Sequence, residues 1–124
     1  MSTLVAQTIS NGTVSTSSAN VISGSAKAWV NFNGTGTVAI RASYNVSSIT
    51  DNGTGNYTIN FTNAMSDTNY ATTGMSRMLS GVGGFYIALS ELSTPTTSGF
   101  RVVNYGENAV AARDGDYMMI SVFR

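Results

Sequence analysis

Six side chains in this sequence carry a carboxylate, Asp51, Asp67, Glu91, Glu107, Asp114 and Asp116, and six carry a cation, Lys27, Arg41, Arg77, Arg101, Arg113 and Arg124. Histidine and cysteine are both absent. That inventory removes the commonest general base, the commonest metal ligand and all thiolate chemistry. A nucleophile would need a Ser–Lys pair or paired carboxylates. Lys27 is the sole lysine, and no serine lies in a nucleophile-elbow pattern. Asp114 and Asp116 stand close together, but Asp-Gly-Asp reads as turn chemistry rather than as an acid–base pair. The same two acids with a loop carbonyl are candidates for a Ca²⁺ site, yet the EF-hand loop pattern is missing and a solvated hairpin end describes them better. The expectation is no enzyme, no catalytic residue, no metal and no cofactor.

Binding chemistry falls to the aromatic residues. Trp29, Tyr44, Tyr57, Tyr70, Tyr86, Tyr105 and Tyr117 combine apolar faces with polar tips, which suits stacking on sugar rings. Tyr57 alternates into the inward face of its strand and reads as core. Tyr86 and Tyr105 fall opposite the apolar faces of their strands and flank glycine-containing loops. With Glu107, Asn108, Arg113 and Asp114 from the excursion that follows Tyr105, they form the candidate receptor-binding set. Exposed loops over a rigid scaffold are where such residues concentrate, so Ser80–Gly84, Ser93–Gly99 and Tyr105–Asp116 are the segments expected to bind. Asn-X-Ser/Thr triplets begin at Asn11, Asn33, Asn45, Asn52, Asn56 and Asn60. In a chain so rich in Asn, Ser and Thr they read as compositional accidents.

The elements that position these residues show a period of two. Ala26, Ala28, Val30 and Phe32 share one strand face, with Lys27, Trp29 and Asn31 on the other. Asn33-Gly34 turns the chain and Thr37–Arg41 returns, with Val38 and Ile40 inward. A strand from Tyr44 reaches a second turn at Asn52-Gly53. Tyr57, Ile59 and Phe61 alternate with Thr58, Asn60 and Thr62. Further strands are expected within Tyr70–Leu79, over Phe85, Ile87 and Leu89, and over Gly99–Tyr105 with Phe100 and Val102 on one side. The last strand, Tyr117–Arg124, is apolar on both faces. Met118, Ile120 and Val122 are taken as its subunit-facing side, covered by a neighbouring copy or, alternatively, by the chain's own first residues. No window predicts a helix. Met1–Ser25 reads as an extended N-terminal arm, and residues 26–124 as one antiparallel β-sandwich of eight or nine strands, jelly-roll-like.

Composition bounds the partners. Charged residues are 10% of the chain, against roughly 25% in ordinary globular domains. Formal net charge is zero and the cations are scattered, so nothing forms the basic stripe that nucleic acid needs. The first residues have no basic segment followed by an apolar run, and do not read as a signal peptide. Ala109–Ala112 is the longest purely apolar run, far short of the roughly 20 residues a membrane helix needs, so no membrane insertion is expected.

One resemblance extends this reading. AKAWVNFNGTGTVAIRASYNVSSITDNGTGNYTINFTNAM, followed by SDTNYATTG, resembles a module found in small structural proteins of tailed bacteriophages, particularly those of marine bacteria. The likeness covers Lys27–Gly74, under half of the chain. It implies a tail-fibre or receptor-binding domain, homotrimeric, located in the virion after synthesis in the host cytoplasm, and binding host-surface glycan or protein. The arm would then contact other tail or capsid proteins or braid the trimer. Many relatives carry this module after a long fibre shaft, whereas here about 25 residues precede it. A capsid decoration or head-fibre protein with a purely structural role is the alternative.

Overall fold

The computed structural model describes residues 1–77, 86–106 and 111–124. Its elements are β1 (Thr8–Ser10), β2 (Ser15–Ser17), α1 (Ser18–Gly24), β3 (Ala26–Asn33), β4 (Ala39–Tyr44), β5 (Val46–Asp51), β6 (Asn56–Phe61), β7 (Ala71–Arg77), β8 (Tyr86–Leu89), β9 (Gly99–Tyr105) and β10 (Tyr117–Phe123). The fold is all-β. Two antiparallel sheets of four strands, ordered β4-β3-β10-β7 and β5-β6-β9-β8, carry the core, and β1 with β2 forms a separate hairpin.

The period-two reading locates the core. Ala28, Val30 and Phe32 of one sheet and Tyr57, Ile59, Phe61, Phe100 and Val102 of the other are buried in a single cluster. Phe32 meets Tyr57 edge-on across the sheets, with ring centroids 5.2 Å apart. Phe61, Tyr70 and Phe100 form a second aromatic group at the opposite end. Met118, Ile120 and Val122 belong to this same core, at 0%, 4% and 1% exposure. That corrects their expected place on a subunit-facing side. Both faces of β10 are apolar, and the face that meets the other sheet is theirs.

Other expectations change as well. The connectivity is not jelly-roll-like: β3–β4, β5–β6 and β8–β9 are sequential neighbours within one sheet, whereas a jelly roll alternates most consecutive strands between its sheets. Ile40 is 36% exposed and Leu89 is 50% exposed, although each is paired with a core residue, Ile40 with Phe32 and Leu89 with Val102; both belong to edge strands, β4 and β8, which have a neighbour on one side only. Tyr44 and Val46 lie in different sheets, separated by Asn45 alone. Asn45 adopts φ 54°, a left-handed conformation that Asn tolerates better than most residues. Its side chain fixes the corner, donating to the carbonyls of Lys27 and Asn63 and accepting from the Asn63 N–H. The first residues are not simply extended, since Ser17 caps α1 by accepting from the Asn20 N–H.

A buried polar knot joins the sheets to their loops. Asn104 is fully buried. Its backbone N–H donates to the Gly55 carbonyl at 2.7 Å and its carbonyl accepts from the Arg113 N–H at 2.9 Å. Its side-chain amide donates to the Arg113 carbonyl at 2.7 Å and accepts from the Ser76 hydroxyl, which reaches across from β7 of the other sheet. Beside it the Tyr57 hydroxyl donates to the Asp114 carboxylate at 2.7 Å and lies 2.8 Å from the Gly34 carbonyl. The same carboxylate accepts from the Gly55 N–H at 2.6 Å. Gly55 cannot be replaced freely: its φ is +65° and a Cβ there would lie 2.5 Å from the Arg113 nitrogen.

Replacing Asn104 by Leu leaves the Ser76 hydroxyl and the Arg113 carbonyl without their partner in a dry interior. We expect N104L to lose about 2–4 kcal/mol of stability, measured by urea unfolding. A loss within experimental error would show that water enters and replaces the amide.

Candidate functional site

The outward residues of the β5-β6-β9-β8 sheet form the candidate site. The strand register sets Tyr86 directly opposite Tyr105 and Ala88 opposite Val103. Directly opposed side chains on one sheet face lie within contact of each other. Accordingly the two tyrosine rings stand 5.4 Å apart with their planes inclined at 31°. Tyr86 is half-exposed and Tyr105 is partly so, whereas Val103 beside them is covered. The rest of this face is polar, with the Arg101 cation among amides and hydroxyls. Arg101 donates through Nε to the Asn56 side chain at 2.6 Å, and Asn52 donates to the Thr58 hydroxyl at 2.8 Å. Asn60 donates to the hydroxyls of Thr50 and Ser48 at 2.9 and 3.1 Å. A flat pair of aromatic rings bordered by amides, hydroxyls and one guanidinium suits a partner with both C–H faces and hydroxyl groups.

The structure brings together only part of the expected receptor-binding set. Tyr86 and Tyr105 make one cluster. Arg113 is exposed, and its backbone is held by Asn104. Asp114 turns inward to Tyr57 and Gly55 and acts as a latch for the fold. Glu107 and Asn108 lie outside the described residues, as does Ser80–Gly84. Among the described residues no group of three or more Asp, Glu, His or Cys side chains could hold a metal ion, and no helix is long and apolar enough to cross a membrane. A groove of about 280 Å³ contains Lys27 and Arg124 among its lining residues. Both cations are engaged, Lys27 with the carbonyls of Ile22 and Ser25 and Arg124 with Asp67.

The opposite sheet has a second outward face that sequence reading recovered only in part. Tyr117, Met119, Ser121 and Phe123 of β10 stand beside Asn31 and Trp29 of β3 and beside Arg77, Met75, Thr73 and Ala71 of β7. Tyr44 of β4 pairs with Trp29. At one end, the guanidinium carbons of Arg41 and Arg77 lie 4.0 and 4.4 Å from the centroid of the Tyr117 ring, a cation–π arrangement. Arg77 also pairs with the nearly buried Asp116 at 2.5 Å.

These contacts set the response to pH. The hydrogen bond from Arg77 holds the Asp116 carboxyl below its usual range, and the one from Arg124 does the same for Asp67. Each therefore contributes stability that is present above the unfolded value of about 3.9 and lost as pH falls through the lower folded value. Burial, reinforced by Asp114, pushes the Tyr57 phenol up from 10.0. Its contribution is present below that value and is lost once pH rises above it. With no histidine in the chain, we expect the urea midpoint to be flat from about pH 5 to about pH 9 and to fall on either side. Asp116→Asn should flatten the acid limb and Tyr57→Phe the alkaline one. A slope near neutrality would contradict this assignment.

Comparison with protein-family models, with curated proteins and with solved structures gives no match. The functional reading therefore draws on the residues and on the phage-module resemblance of Lys27–Gly74.

Proposed function

We propose that this chain is a non-enzymatic virion structural protein of a tailed bacteriophage. In this reading it is a homotrimeric tail-fibre or receptor-binding domain that recognises a host-surface glycan or protein. The observation that carries the binding part is the tyrosine pair. Tyr86 and Tyr105 are held opposite each other on a sheet, partly open to solvent. A polar face of Asn, Thr and Ser with the Arg101 guanidinium borders them. Rigid strands keep the rings in place before a ligand arrives, which lowers the ordering cost of binding. The resemblance supports the virion assignment, and the low charge suits a protein crowded against copies of itself. The structural alternative, a capsid decoration or head-fibre protein, is favoured by the fully exposed apolar side chains of the first residues, which suit anchoring to a lattice.

Binding of the purified chain to an array of bacterial surface polysaccharides, and to whole cells, tests the reading. Loss of one stacking ring removes about 1 kcal/mol beyond its buried area, so Tyr86→Ala and Tyr105→Ala should each weaken binding by about tenfold. Both rings are partly exposed, and both variants should remain folded. Unchanged binding in the two variants would remove the tyrosine pair from the site. Immuno-electron microscopy that places the protein on the particle head would favour the structural alternative.

A further inference from the structure

Among the described residues two apolar surfaces are open to solvent. One is the outward face of the β4-β3-β10-β7 sheet, where Trp29, Tyr44, Met75 and Met119 are 40%, 58%, 72% and 38% exposed. A shallow depression of about 220 Å³, lined by Thr73, Gly74, Met75, Met119 and Ser121, lies in it. The other is the segment before β3, where Leu4, Val5, Val14 and Ile22 are 91%, 87%, 68% and 64% exposed. This segment has no core. β1 and β2 are three residues each and α1 is seven, with no buried residue in any of them. Hairpins and helices of that size are marginal in water unless they pack on something.

We infer that these two surfaces are complementary, and that the arm formed by residues 1–25 of one copy lies on the outward β4-β3-β10-β7 face of a second copy. This rests on the homo-oligomer part of the proposed function and is independent of the receptor. Charge is the first argument. Residues 1–26 contain no Asp, Glu, Lys or Arg, and Trp29, Tyr44, Met75, Thr73, Met119 and Ser121 are equally uncharged. A contact over these residues removes no ion from water, a step that would otherwise cost several kcal/mol per group; the cations of the face lie outside them, Lys27 at one rim and Arg41 and Arg77 around Tyr117 at the other end.

Area is the second. Four strands about 4.8 Å apart, each about seven residues long at about 3.4 Å per residue, present a plane of about 450 Å². A stable specific contact needs about 800 Å² from each partner. One face–arm contact falls short, and a reciprocal or cyclic exchange, in which every copy gives both its face and its arm, brings the area per copy to about 900 Å². The place of attachment is the third. Lys27 is on the outward side of β3, in line with Trp29, and its ammonium binds the carbonyls of Ile22 and Ser25. That clamp roots the arm at the rim of the apolar face. Within one chain, however, the arm's apolar side chains remain in solvent, so the chain does not cover itself.

Because the chain has no cysteine, introduced thiols report the contact directly. Met75→Cys and Val5→Cys are made in separate full-length chains of distinguishable size, both at exposed positions, and the two are mixed under mild oxidation. The expected product is a disulfide between one chain of each kind, several-fold in excess over either like pair. In parallel, sedimentation follows the unmodified chain, Met119→Lys and Leu4→Asp, and emission from Trp29, the sole tryptophan, reports cover on the face. The unmodified chain should associate with a blue shift on concentration, and each variant should weaken association by tenfold or more while keeping the unfolding midpoint of the unmodified chain at dilutions where both are monomeric. An oligomer that forms no arm-to-face disulfide overturns the inference and leaves the homo-oligomer standing. So does a Val5→Cys/Met75→Cys double variant that closes its disulfide within one chain. A chain that remains monomeric at all concentrations overturns both. Loss of glycan binding with assembly intact bears only on the tyrosine pair.

Discussion

Asn104 is the residue on which the two sheets and their loops jointly depend. A buried amide is stable only when its donors and acceptors are met, and here four partner groups come from three places: the turn at Gly55, both backbone groups of Arg113, and Ser76 in the facing sheet. Hydrophobic contact alone would let two flat sheets slide over one another. Directional bonds from one side chain to the opposite sheet and to the loop behind it fix their relative position. The arrangement is neutral, as suits a chain with so few charges, and it avoids the desolvation cost of a buried ion pair. Tyr57 and Asp114 extend it toward Gly34, so the loop after β3, the loop after β5 and the segment before β10 meet at one end of the core.

Much of the scaffold was legible because the sheets follow a period of two. In β3 and β6 the apolar residues alternate with polar ones, and the buried faces are those the alternation marks; β9 departs from this, with adjacent Val102 and Val103 both buried and the polar Asn104 inward. Legibility failed where a single residue changed the geometry. Asn45 breaks one apparent strand into two that belong to different sheets, and only its left-handed backbone marks the place. Ile40 pairs with the inward Phe32 and is nevertheless partly open, because β4 is an edge strand and strand order is not written in the local spacing. α1 was missed because Val21 and Ile22 suggest a strand, while the cap at Ser17 is one serine among many.

The site was legible by contrast with the core. Tyr86 and Tyr105 stood out because they oppose the apolar side of their strands, and cross-strand register then joins two residues far apart in sequence. Asp114 misled because an acid in a turn is indistinguishable by sequence from an acid that reaches back into the interior. β10 misled differently. Alternation separates its two faces, but when both are apolar it cannot say which one meets the facing sheet. That decision belongs to β3 beside it, whose inward residues Ala28, Val30 and Phe32 share the core with Met118, Ile120 and Val122.

The pairing of β3 with β10 has a consequence for the order in which the molecule can form. β3 opens the two-sheet body and β10 closes it, yet they lie side by side at the centre of one sheet, with Ala26 opposite Phe123. Contacts of such long sequence separation carry the largest loop-closure cost. The hairpins β3–β4, β5–β6 and β8–β9 need only local chain, whereas this sheet has no completed centre until its final strand has left the ribosome. During synthesis the inward side of β3 therefore waits uncovered until β10 arrives beside it.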